Sequence, residues 1–242
     1  MLTKNELKYI QSLGHKKERD QASLFIAEGP KLAEELLHNQ PGVQHIYATR
    51  EWIEKNTAVK VPVSEISAVE LSRISQLQTP HEVVVIANQR TPPGEPVLND
   101  QLTIVLDGIQ DPGNMGTIIR IADWFNVQQI ICSNDCVDIY NAKVVQSTMG
   151  SIMRVNCWYK DLNHWEPGVD INVYGALLNG KNIYSVGKVN EGLLVIGNES
   201  KGIREPFISK ITHPVTIPKV GKAESLNAAI ATGIIVGCLV NG

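Results

Sequence analysis

The chain lacks any long uninterrupted run of apolar residues. Although 43% of its 242 residues are hydrophobic, the longest late apolar stretch, residues 228–240, is broken by Thr232, Gly233 and Gly237. A membrane-spanning helix needs about 20 consecutive apolar residues, so we expect none here. The first ten residues, MLTKNELKYI, also lack the apolar core of a signal peptide. These absences predict a cytoplasmic protein that does not enter a membrane.

Cysteine is scarce as well. The four cysteines, Cys132, Cys136, Cys157 and Cys238, all lie in the second half of the chain. Cys132 and Cys136 are four residues apart, but no second pair and no histidine cluster completes a zinc site. We therefore expect buried, reduced thiols, as is usual in a reducing cytoplasm, and no bound metal.

An excess of basic residues is also missing, and the net charge is −3. Up to Glu95 the chain has 11 basic and 12 acidic residues, and after it 11 and 13. Neither half therefore has the overall positive field that attracts nucleic acid. The exception is a basic cluster within the first twenty residues, made of Lys4, Lys8, His15, Lys16, Lys17 and Arg19. It is either a solvated helix face or a candidate RNA contact.

The segment QRTPPGEP, residues 89–96, is the clearest break in the chain. Three prolines and a glycine in eight residues favour a linker, because they continue neither helix nor sheet. We predict one domain over residues 1–90 and another over residues 97–242. In the first, the patterns predict strands at 24–27, 44–48, 60–63 and 82–87, with helices from Pro30 to His38 and from Ser64. These elements form a small α/β domain.

The second domain alternates strands and helices at a larger scale. The apolar runs predict strands at 102–106, 129–132, 155–158, 171–176, 193–196 and 215–217, and helices at 115–125, 142–149 and 226–240. Apolar strands that alternate with helices indicate a parallel sheet covered on both faces. Ligands of such sheets bind at the carboxyl ends of the strands, so the residues that follow each strand are the candidates for a site.

Three strands are followed by polar loops that contain glycine, namely residues 107–116, 197–202 and 218–227. Each could be a plain turn, with Asn114 and Ser225 capping the helices that follow. Asn227 is expected inside the first turn of the last helix, where a cap alone does not need it. Arg120 lies in an otherwise apolar helix, so it either extends to solvent or is directed at an anion. Glu199, between two glycines, suits a hydroxyl or amine partner better than a phosphate.

Several familiar catalytic patterns are missing from these loops. No Ser-His-Asp or Cys-His arrangement, no carboxylate pair at fixed spacing and no phosphate-binding Gly-x-x-x-x-Gly-Lys-Ser/Thr pattern is visible. A nucleotide-binding oxidoreductase would need Gly-x-Gly-x-x-Gly after the strand at 102–106, which the segment from Gly108 to Gly116 does not supply. The residues alone therefore predict a ligand-binding α/β enzyme without specifying its reaction.

A family resemblance makes the prediction more specific. The segments LDGIQDPGNMGTIIRIA (106–122), LVIGNESKGI (194–203) and IPKVGKAESLNAAIA (217–231) resemble, in order and spacing, the three motifs of the SpoU (TrmH-like) family of the SPOUT methyltransferase superfamily. The segment STMGSIMR (147–154) resembles a family segment between the first two motifs. Near the amino end, FIAEGPKL (25–32) resembles the L30e-like RNA-binding domain that precedes these enzymes.

The resemblance implies both a fold and an activity. The expected fold is α/β, with a parallel sheet and a deep trefoil knot in the SPOUT domain, a rare exception to the rule that chains are unknotted. The expected activity is transfer of a methyl group from S-adenosyl-L-methionine to a ribose 2′-hydroxyl of rRNA or tRNA by a homodimer. The alternative is a knotted RNA-binding or assembly protein without catalysis, although all five polar positions of the family are kept.

The family's site residues can be placed on this chain by their motifs. The resemblance places the cofactor against the main chain of Gly197, Ile217 and Leu226, with Ala176 and Leu177 nearby. We expect Gly197 to allow close approach of the cofactor, because glycine has no side chain.

The polar set that matches the family is Asn114, Arg120, Glu199, Ser225 and Asn227. In the family the arginine is taken to act on the ribose hydroxyl across a dimer interface. Because a guanidinium stays protonated and is a poor base, we expect Arg120 to bind the adjacent phosphate and polarise the hydroxyl, with base action only if a phosphate relays the proton.

Overall fold

The computed structural model describes residues 1–39, 42–168 and 170–242, except for the side chain of Asn39. They form two compact units. The first unit contains Met1–Thr91 and Asp138–Met153, and the second contains Pro92–Val137 and Arg154–Gly242. The chain passes from one to the other inside the predicted linker 89–96. Asp138–Met153, however, belongs to the first unit, although a single boundary in the sequence places it in the second.

The two units contain the following helices and strands, which are numbered in chain order. The helices are α1 Lys4–Ser12, α2 Lys16–Ala22, α3 Pro30–Asn39, α4 Arg50–Lys55, α5 Ala68–Ile74, α6 Pro112–Trp124, α7 Ala142–Thr148, α8 Glu205–Ile208 and α9 Ala228–Asn241. The strands are β1 Leu24–Glu28, β2 Val43–Ala48, β3 Val63–Glu65, β4 Val83–Asn88, β5 Leu102–Asp107, β6 Gln129–Ser133, β7 Asn156–Lys160, β8 Val173–Asn182, β9 Gly192–Gly197 and β10 His213–Thr216.

The first unit is built on a four-stranded sheet in the order β1-β4-β2-β3. β4 pairs antiparallel with β1 and with β2, and β2 pairs parallel with β3. Apolar side chains from α1, α5 and the sheet, among them Ile10, Leu71 and Val84, form a buried core. The α/β character predicted for this part of the chain is therefore present.

The helix predicted to begin at Ser64 begins four residues later. Ser64 and Glu65 continue β3 and pair with β2, so the strand predicted at 60–63 is displaced toward the carboxyl end. The start of α5 is set by a capping box, in which Ser67 Oγ accepts from the amide of Glu70 and the Glu70 carboxylate accepts from the amide of Ser67. The spacing of Ser67 and Glu70 was the signal for this boundary.

Arg19 has a structural role within the first unit, which removes it from the basic cluster. Its side chain is only 3% exposed and donates to the carbonyl oxygens of Leu13 and Gly14 and to the Asp138 carboxylate. Lys16 forms an exposed ion pair with Asp20. The members of the cluster that stay exposed without an ion pair among the described residues are Lys4, Lys8, His15 and Lys17.

The second unit is built on a six-stranded parallel sheet in the order β10-β8-β9-β5-β6-β7. Its central strands are buried along their length, as their continuous apolar sequence predicts. α6 and α9 pack together, and glycines Gly233 and Gly237 of α9 face Ile121 and Phe125. The predicted α/β fold with a parallel sheet is confirmed.

Two observations bear on the expectations drawn from composition, one about the cysteines and one about membrane-spanning helices. All four cysteines are free, and three are buried, whereas Cys238 is half-buried. Among the described residues, no helix has the length and apolarity needed to cross a membrane.

The buried carboxyl group of Glu28 makes the stability of the first unit dependent on pH. Glu28 is 3% exposed and accepts from the Ser75 hydroxyl at 2.5 Å and from the Gln76 amide at 2.8 Å. Burial raises its pKa above the ordinary value of 4.5, because water no longer stabilises the charged form. The unfolded chain therefore loses this proton first, and stability is lost as pH rises from the ordinary pKa through the folded one.

We expect Glu28→Gln to remove this pH dependence, because the amide carries no charge; its oxygen can accept from the Gln76 amide, and its NH2 can donate to the Ser75 hydroxyl. The melting temperature of the variant should rise relative to that of the natural chain as pH increases from about 4. The exposed Glu34 provides the control variant Glu34→Gln. Identical pH profiles for Glu28→Gln and the natural chain would contradict the assignment.

Candidate functional site

The predicted loops meet at one edge of the parallel sheet. β5 ends at Asp107 and β9 at Gly197, and these two residues are paired neighbours in the sheet. β10 ends at Thr216, beyond which residues 217–227 lead into α9. Because the strands are parallel, all three loops leave the sheet on the same side, as the sequence predicts.

The loop after β5 enters α6 through a cap that differs from the predicted one. Asp111, not Asn114, is the N-cap, and its carboxylate accepts from the amide of Asn114 at 2.8 Å. Pro112 occupies the first turn, where its missing N–H has no cost. Since the Asp111 carboxylate caps the helix, the side chain of Asn114 is free for other partners.

The loop before α9 also uses a different cap. Asn227, not Ser225, is the N-cap of α9, and its Oδ1 accepts from the amides of Ala229 at 3.0 Å and Ile230 at 3.2 Å. The prediction that Asn227 lies inside the first turn was wrong by one position. Ser225 is exposed and forms no hydrogen bond with any other described residue.

A chain of side-chain hydrogen bonds connects the three loops. Asn227 Nδ2 donates to Asn114 Oδ1 at 2.7 Å, and Asn114 Nδ2 donates to Glu199 Oε1 at 2.5 Å. The helix cap sets the direction of this chain: because Asn227 Oδ1 faces the amides of α9, its Nδ2 must face Asn114. Asn114 must then present its own Nδ2 to Glu199. The structure thus brings together three of the five predicted polar residues.

Glu199 lies on a closed turn, residues 198–202. Asn198 and Gly202 exchange backbone hydrogen bonds of 3.1 and 2.9 Å. The side-chain Oδ1 of Asn198 accepts from the amides of Ser200 and Lys201, and Gly202 has a φ of +71°, which favours glycine. The turn holds the carboxylate of Glu199 outward from the sheet edge.

Arg120 has no partner within the described chain. It is exposed on α6 and forms neither a hydrogen bond nor an ion pair with any described residue. Of the two alternatives left by the sequence, extension to solvent therefore describes this single chain. A guanidinium without a partner is also available for an anionic group from outside.

The predicted cofactor positions lie on β8 and on the loops after β9 and β10. Ala176 and Leu177 are half-buried where the pairing of β8 with β10 jumps from Gly175 to Lys181, so they leave the sheet ladder. Ile217 is half-buried and Leu226 is exposed. Ile217 and Leu226 thus place apolar residues at the two ends of the loop between β10 and α9.

The main chain of residues 218–226 forms no hydrogen bond with any other described residue. Buried or ordered backbone groups normally find partners, so this stretch offers free amide donors and carbonyl acceptors. A Cβ added at Gly221 would meet no atom within 4 Å. A donor set of free amides and carbonyls, bordered by apolar side chains, fits a neutral purine edge and an amino acid moiety.

Gly197 is also required by the packing of the turn that follows it. A Cβ at this position would lie 2.3 Å from the carbonyl carbon of Gly202 and 2.4 Å from the nitrogen of Ile203. The residue therefore allows the chain to close the turn that carries Glu199. The close approach of a cofactor to Gly197 stays a prediction.

We expect Gly197→Ala to lower the melting temperature by several degrees, because no backbone shift removes a contact that short without opening the turn. Gly221→Ala, with open space around the added methyl group, is the matched control. Equal melting temperatures for the two variants, measured by differential scanning calorimetry, would contradict the steric argument.

A polar network that was not predicted from the sequence holds the two ends of the turn. It consists of Asp107, Ser133, Asp135, Asn198 and Arg204. The Ser133 hydroxyl and Arg204 hold the pKa of Asp135 below its usual range, and Asp107 raises the pKa of Arg204. One signal was visible: Asp107 ends a strand that is otherwise fully apolar from Ile104 to Leu106, where a charge is expected only with a partner.

Comparison with known proteins identifies the family. Residues 101–237 match the SpoU rRNA methylase family, and residues 4–85 match the MRM3-like substrate-binding domain. The chain is 28% identical over 236 residues to the 23S rRNA (guanosine(2553)-2′-O)-methyltransferase RlmP of Bacillus subtilis, covering 96% of this chain and 94% of that protein.

Two solved structures share the fold over nearly the whole chain. An RNA methyltransferase of the TrmH family from Porphyromonas gingivalis superposes with a TM-score of 0.86 and 35% identity, over 99% of this chain and 98% of the other. An S-adenosyl-L-methionine-bound rRNA methyltransferase from Sinorhizobium meliloti superposes with a TM-score of 0.83 and 30% identity, over 98% of this chain and 95% of the other. The chain, with its matching domain and its similarity along its full length, belongs to the SpoU rRNA methylase family.

Proposed function

We propose that the chain transfers a methyl group from S-adenosyl-L-methionine to a ribose 2′-hydroxyl of ribosomal RNA. The observation that carries this proposal is the hydrogen-bond chain from Asn227 through Asn114 to Glu199, which joins all three family segments at the ligand-binding edge of the sheet. The relatives support the substrate class, since RlmP of B. subtilis and RlmB of Neisseria meningitidis are both named as 23S rRNA guanosine 2′-O-methyltransferases.

The chemistry of the donor set supports the cofactor. The free main chain of residues 218–226 can hydrogen-bond the adenine and the methionyl part of S-adenosyl-L-methionine, and Ala176, Leu177, Ile217 and Leu226 can cover its apolar faces. Gly197, at the end of β9 beside these loops, contributes its main-chain groups to the cofactor. The cofactor supplies a methyl group on a sulfonium, already activated for transfer to oxygen.

The protein's own contribution is then to hold the ribose and its phosphate in place. Glu199 and Asn114, fixed by the cap of α9, present a carboxylate and an amide to the ribose hydroxyls. Arg120, which has no partner on its own chain, binds the adjacent phosphate and polarises the 2′-hydroxyl. Ser225 is exposed and lies two residues before Asn227 in the sequence. It supplies a further hydroxyl to the same group of loops.

We further propose a homodimer, with Arg120 of each chain serving the partner's site. α9 is apolar on every side, and Ile230 in its first turn is 56% exposed. Trp124, at the end of the neighbouring helix α6, is 83% exposed. Apolar surface of this kind is typical of an interface between copies of one chain.

Ile230→Asp is expected to convert the dimer to a monomer and to abolish methyl transfer, because the charge would be buried in the interface. Light scattering at micromolar concentration gives the mass, and circular dichroism checks the fold. The surface control is Val69→Asp, an exposed apolar residue of α5. A natural chain that is monomeric and active would overturn the dimer proposal.

We extend the proposal to the knot, to the fold of the first unit and to the location of the protein. We propose that the trefoil knot lies in the second unit; the path of β10, which follows β9 in sequence but pairs with β8, supports this proposal. The L30e-like fold is assigned to the first unit, whose exposed Lys4, Lys8, His15 and Lys17 are the candidates to contact RNA phosphates. Free, mostly buried thiols agree with a cytoplasmic location.

The function is tested by mapping 2′-O-methyl groups in RNA from a strain of the source organism that lacks the gene. We expect one ribose of 23S rRNA to lose its methyl group and tRNA to be unchanged. Complementation with the natural chain should restore the site, and Arg120→Ala should not. An unchanged methylation map combined with defective ribosome assembly would favour the non-catalytic RNA-binding protein instead.

A further inference from the structure

The turn that carries Glu199 has no apolar attachment of its own. Glu199, Ser200, Lys201 and Gly202 are all exposed, and the nearest apolar anchor is Ile203, which follows the turn and is buried in the core of the second unit. Exposed residues without apolar contacts move readily, so polar contacts at the two ends add to the anchor at Ile203 in setting where the carboxylate of Glu199 lies.

The amino end of the turn is tied to the loop after β5 by Asn198. Its Nδ2 donates to the carbonyl oxygen of Gly108 at 2.8 Å. Gly108 has a φ of +73°, and its amide donates in turn to the Ser133 hydroxyl at 2.8 Å. The same side chain of Asn198 shapes the turn through Ser200 and Lys201, so one residue both forms the turn and connects it to Gly108.

The carboxyl end is tied to β5 by Arg204. The Asp107 carboxylate, 1% exposed, accepts from the amide of Arg204 at 2.7 Å and from its Nε at 2.5 Å, and it also pairs with a terminal guanidinium nitrogen. That nitrogen lies 3.0 Å from Asp135 Oδ1, which accepts from the Ser133 hydroxyl at 2.6 Å. A buried carboxylate requires such a partner, and the planar guanidinium satisfies two carboxylates at once.

We propose that Arg204, acting through the buried Asp107, is a positioning residue that places Glu199 for the methyl-transfer step. The inference rests on the proposed function and adds a residue to it. At one end of the turn Asn198 bonds to Gly108, and at the other end Arg204 bonds to Asp107. The two ends are therefore held by consecutive residues of the loop that also leads to Asn114. Arg204 therefore sets the distance between Glu199 and Asn114 without touching either.

The test compares Arg204→Lys with Glu199→Ala and with the double variant. Lysine keeps the positive charge and the backbone hydrogen bond to Asp107 but cannot serve Asp107 and Asp135 in the same geometry. We expect a single-turnover rate about 10- to 100-fold lower, measured with tritiated S-adenosyl-L-methionine and 23S rRNA from the deletion strain, at unchanged affinity for the cofactor. In the Glu199→Ala variant, adding Arg204→Lys should not lower the rate further, because both residues act on the same step.

Arg19→Lys is the matched control, since Arg19, like Arg204, is an arginine paired with a carboxylate, but it lies in the first unit, where it is buried. It should lose stability and keep its rate. Asn198→Asp is the second variant, because it keeps the acceptor for Ser200 and Lys201 and loses the donor to Gly108; it should behave like Arg204→Lys. Should one variant misfold, the other carries the test.

A second readout does not depend on activity. Trypsin should cut after the exposed Lys201 faster in Arg204→Lys and Asn198→Asp than in Arg19→Lys, with other cleavage sites unchanged. A rate equal to that of the natural chain, losses that add to those of Glu199→Ala, or equal cleavage at Lys201 would overturn the positioning role. Absence of methyl transfer by the natural chain would instead reject the proposed function, and the cleavage result would then stand on its own.

Discussion

Replacing Arg120 with alanine or with lysine is expected to reduce methyl transfer by about 10²- to 10³-fold. Loss of one well-aligned charged contact in a closed site corresponds to roughly 3–4 kcal/mol of transition-state stabilisation. Lysine should not rescue the rate, because it lacks the planar fork that can hold a phosphate and a ribose oxygen together. Single-turnover incorporation of tritiated methyl into 23S rRNA measures the effect.

Folding and cofactor binding should survive both substitutions. Arg120 is exposed and forms no contact with a described polar group, and surface substitutions of this kind change stability by about 0.5 kcal/mol or less. Calorimetric titration with S-adenosyl-L-methionine and a melting curve on the same preparations give the controls. Variants that melt early but keep their specific activity would assign Arg120 to packing instead.

Asn227→Asp is expected to reduce methyl transfer by about 10²-fold without reducing stability. Aspartate caps a helix as well as asparagine, so Ala229 and Ile230 keep their acceptor. The variant loses the donor to Asn114 and places a carboxylate there, so Asn114 must rotate its amide and turn its oxygen toward Glu199. The carboxylate of Glu199 then loses the hydrogen bond from Asn114. It is no longer held in the position that methyl transfer requires.

Asn141→Asp is the control for this change, because Asn141 caps α7 through the same kind of hydrogen bond and lies outside the site. Both variants should melt near the temperature of the natural chain, and only Asn227→Asp should lose rate. Full activity in Asn227→Asp would show that the hydrogen-bond chain does not act in catalysis.

Much of the second unit could be predicted from local sequence. The apolar runs gave strands whose bounds differ from the observed ones by few residues, because buried parallel strands are continuous in hydrophobicity. β8 was the exception: it extends to Asn182, since its polar half pairs with β10 and has no apolar pattern to reveal it. The three loops were found because glycine and polar residues interrupt those runs.

The helix caps at the site could not be assigned with certainty by composition. The segment from Asp111 to Asn114 offers two residues that cap well, and the choice of Asp111 depends on where Pro112 fixes the first turn. At α9 the sequence predicted Ser225 as the cap, and the structure uses Asn227, the residue next to the helix. The consequence is functional, because the capping choice decides which side chain is left to face Glu199.

Contacts between residues far apart in sequence escaped prediction altogether. Asp138–Met153 looks like an ordinary part of the second domain, and contacts such as the ion pair of Asp138 with Arg19 and the packing of α7 on β1 show that it belongs to the first unit. Likewise, Asp107 and Arg204 are 97 residues apart. No periodicity connects such residues, so their partnership becomes visible only in three dimensions.

The central claim is tested most directly by reconstitution with purified components. The natural chain, S-adenosyl-L-methionine with a tritiated methyl group and 23S rRNA from the deletion strain are combined, and the product is digested with alkali. A 2′-O-methyl group blocks alkaline cleavage of the neighbouring phosphodiester, so we predict that the label appears in one alkali-resistant dinucleotide. Label found in an alkali-released mononucleotide would place the methyl group on a base, and no incorporation at all would reject the methyltransferase activity.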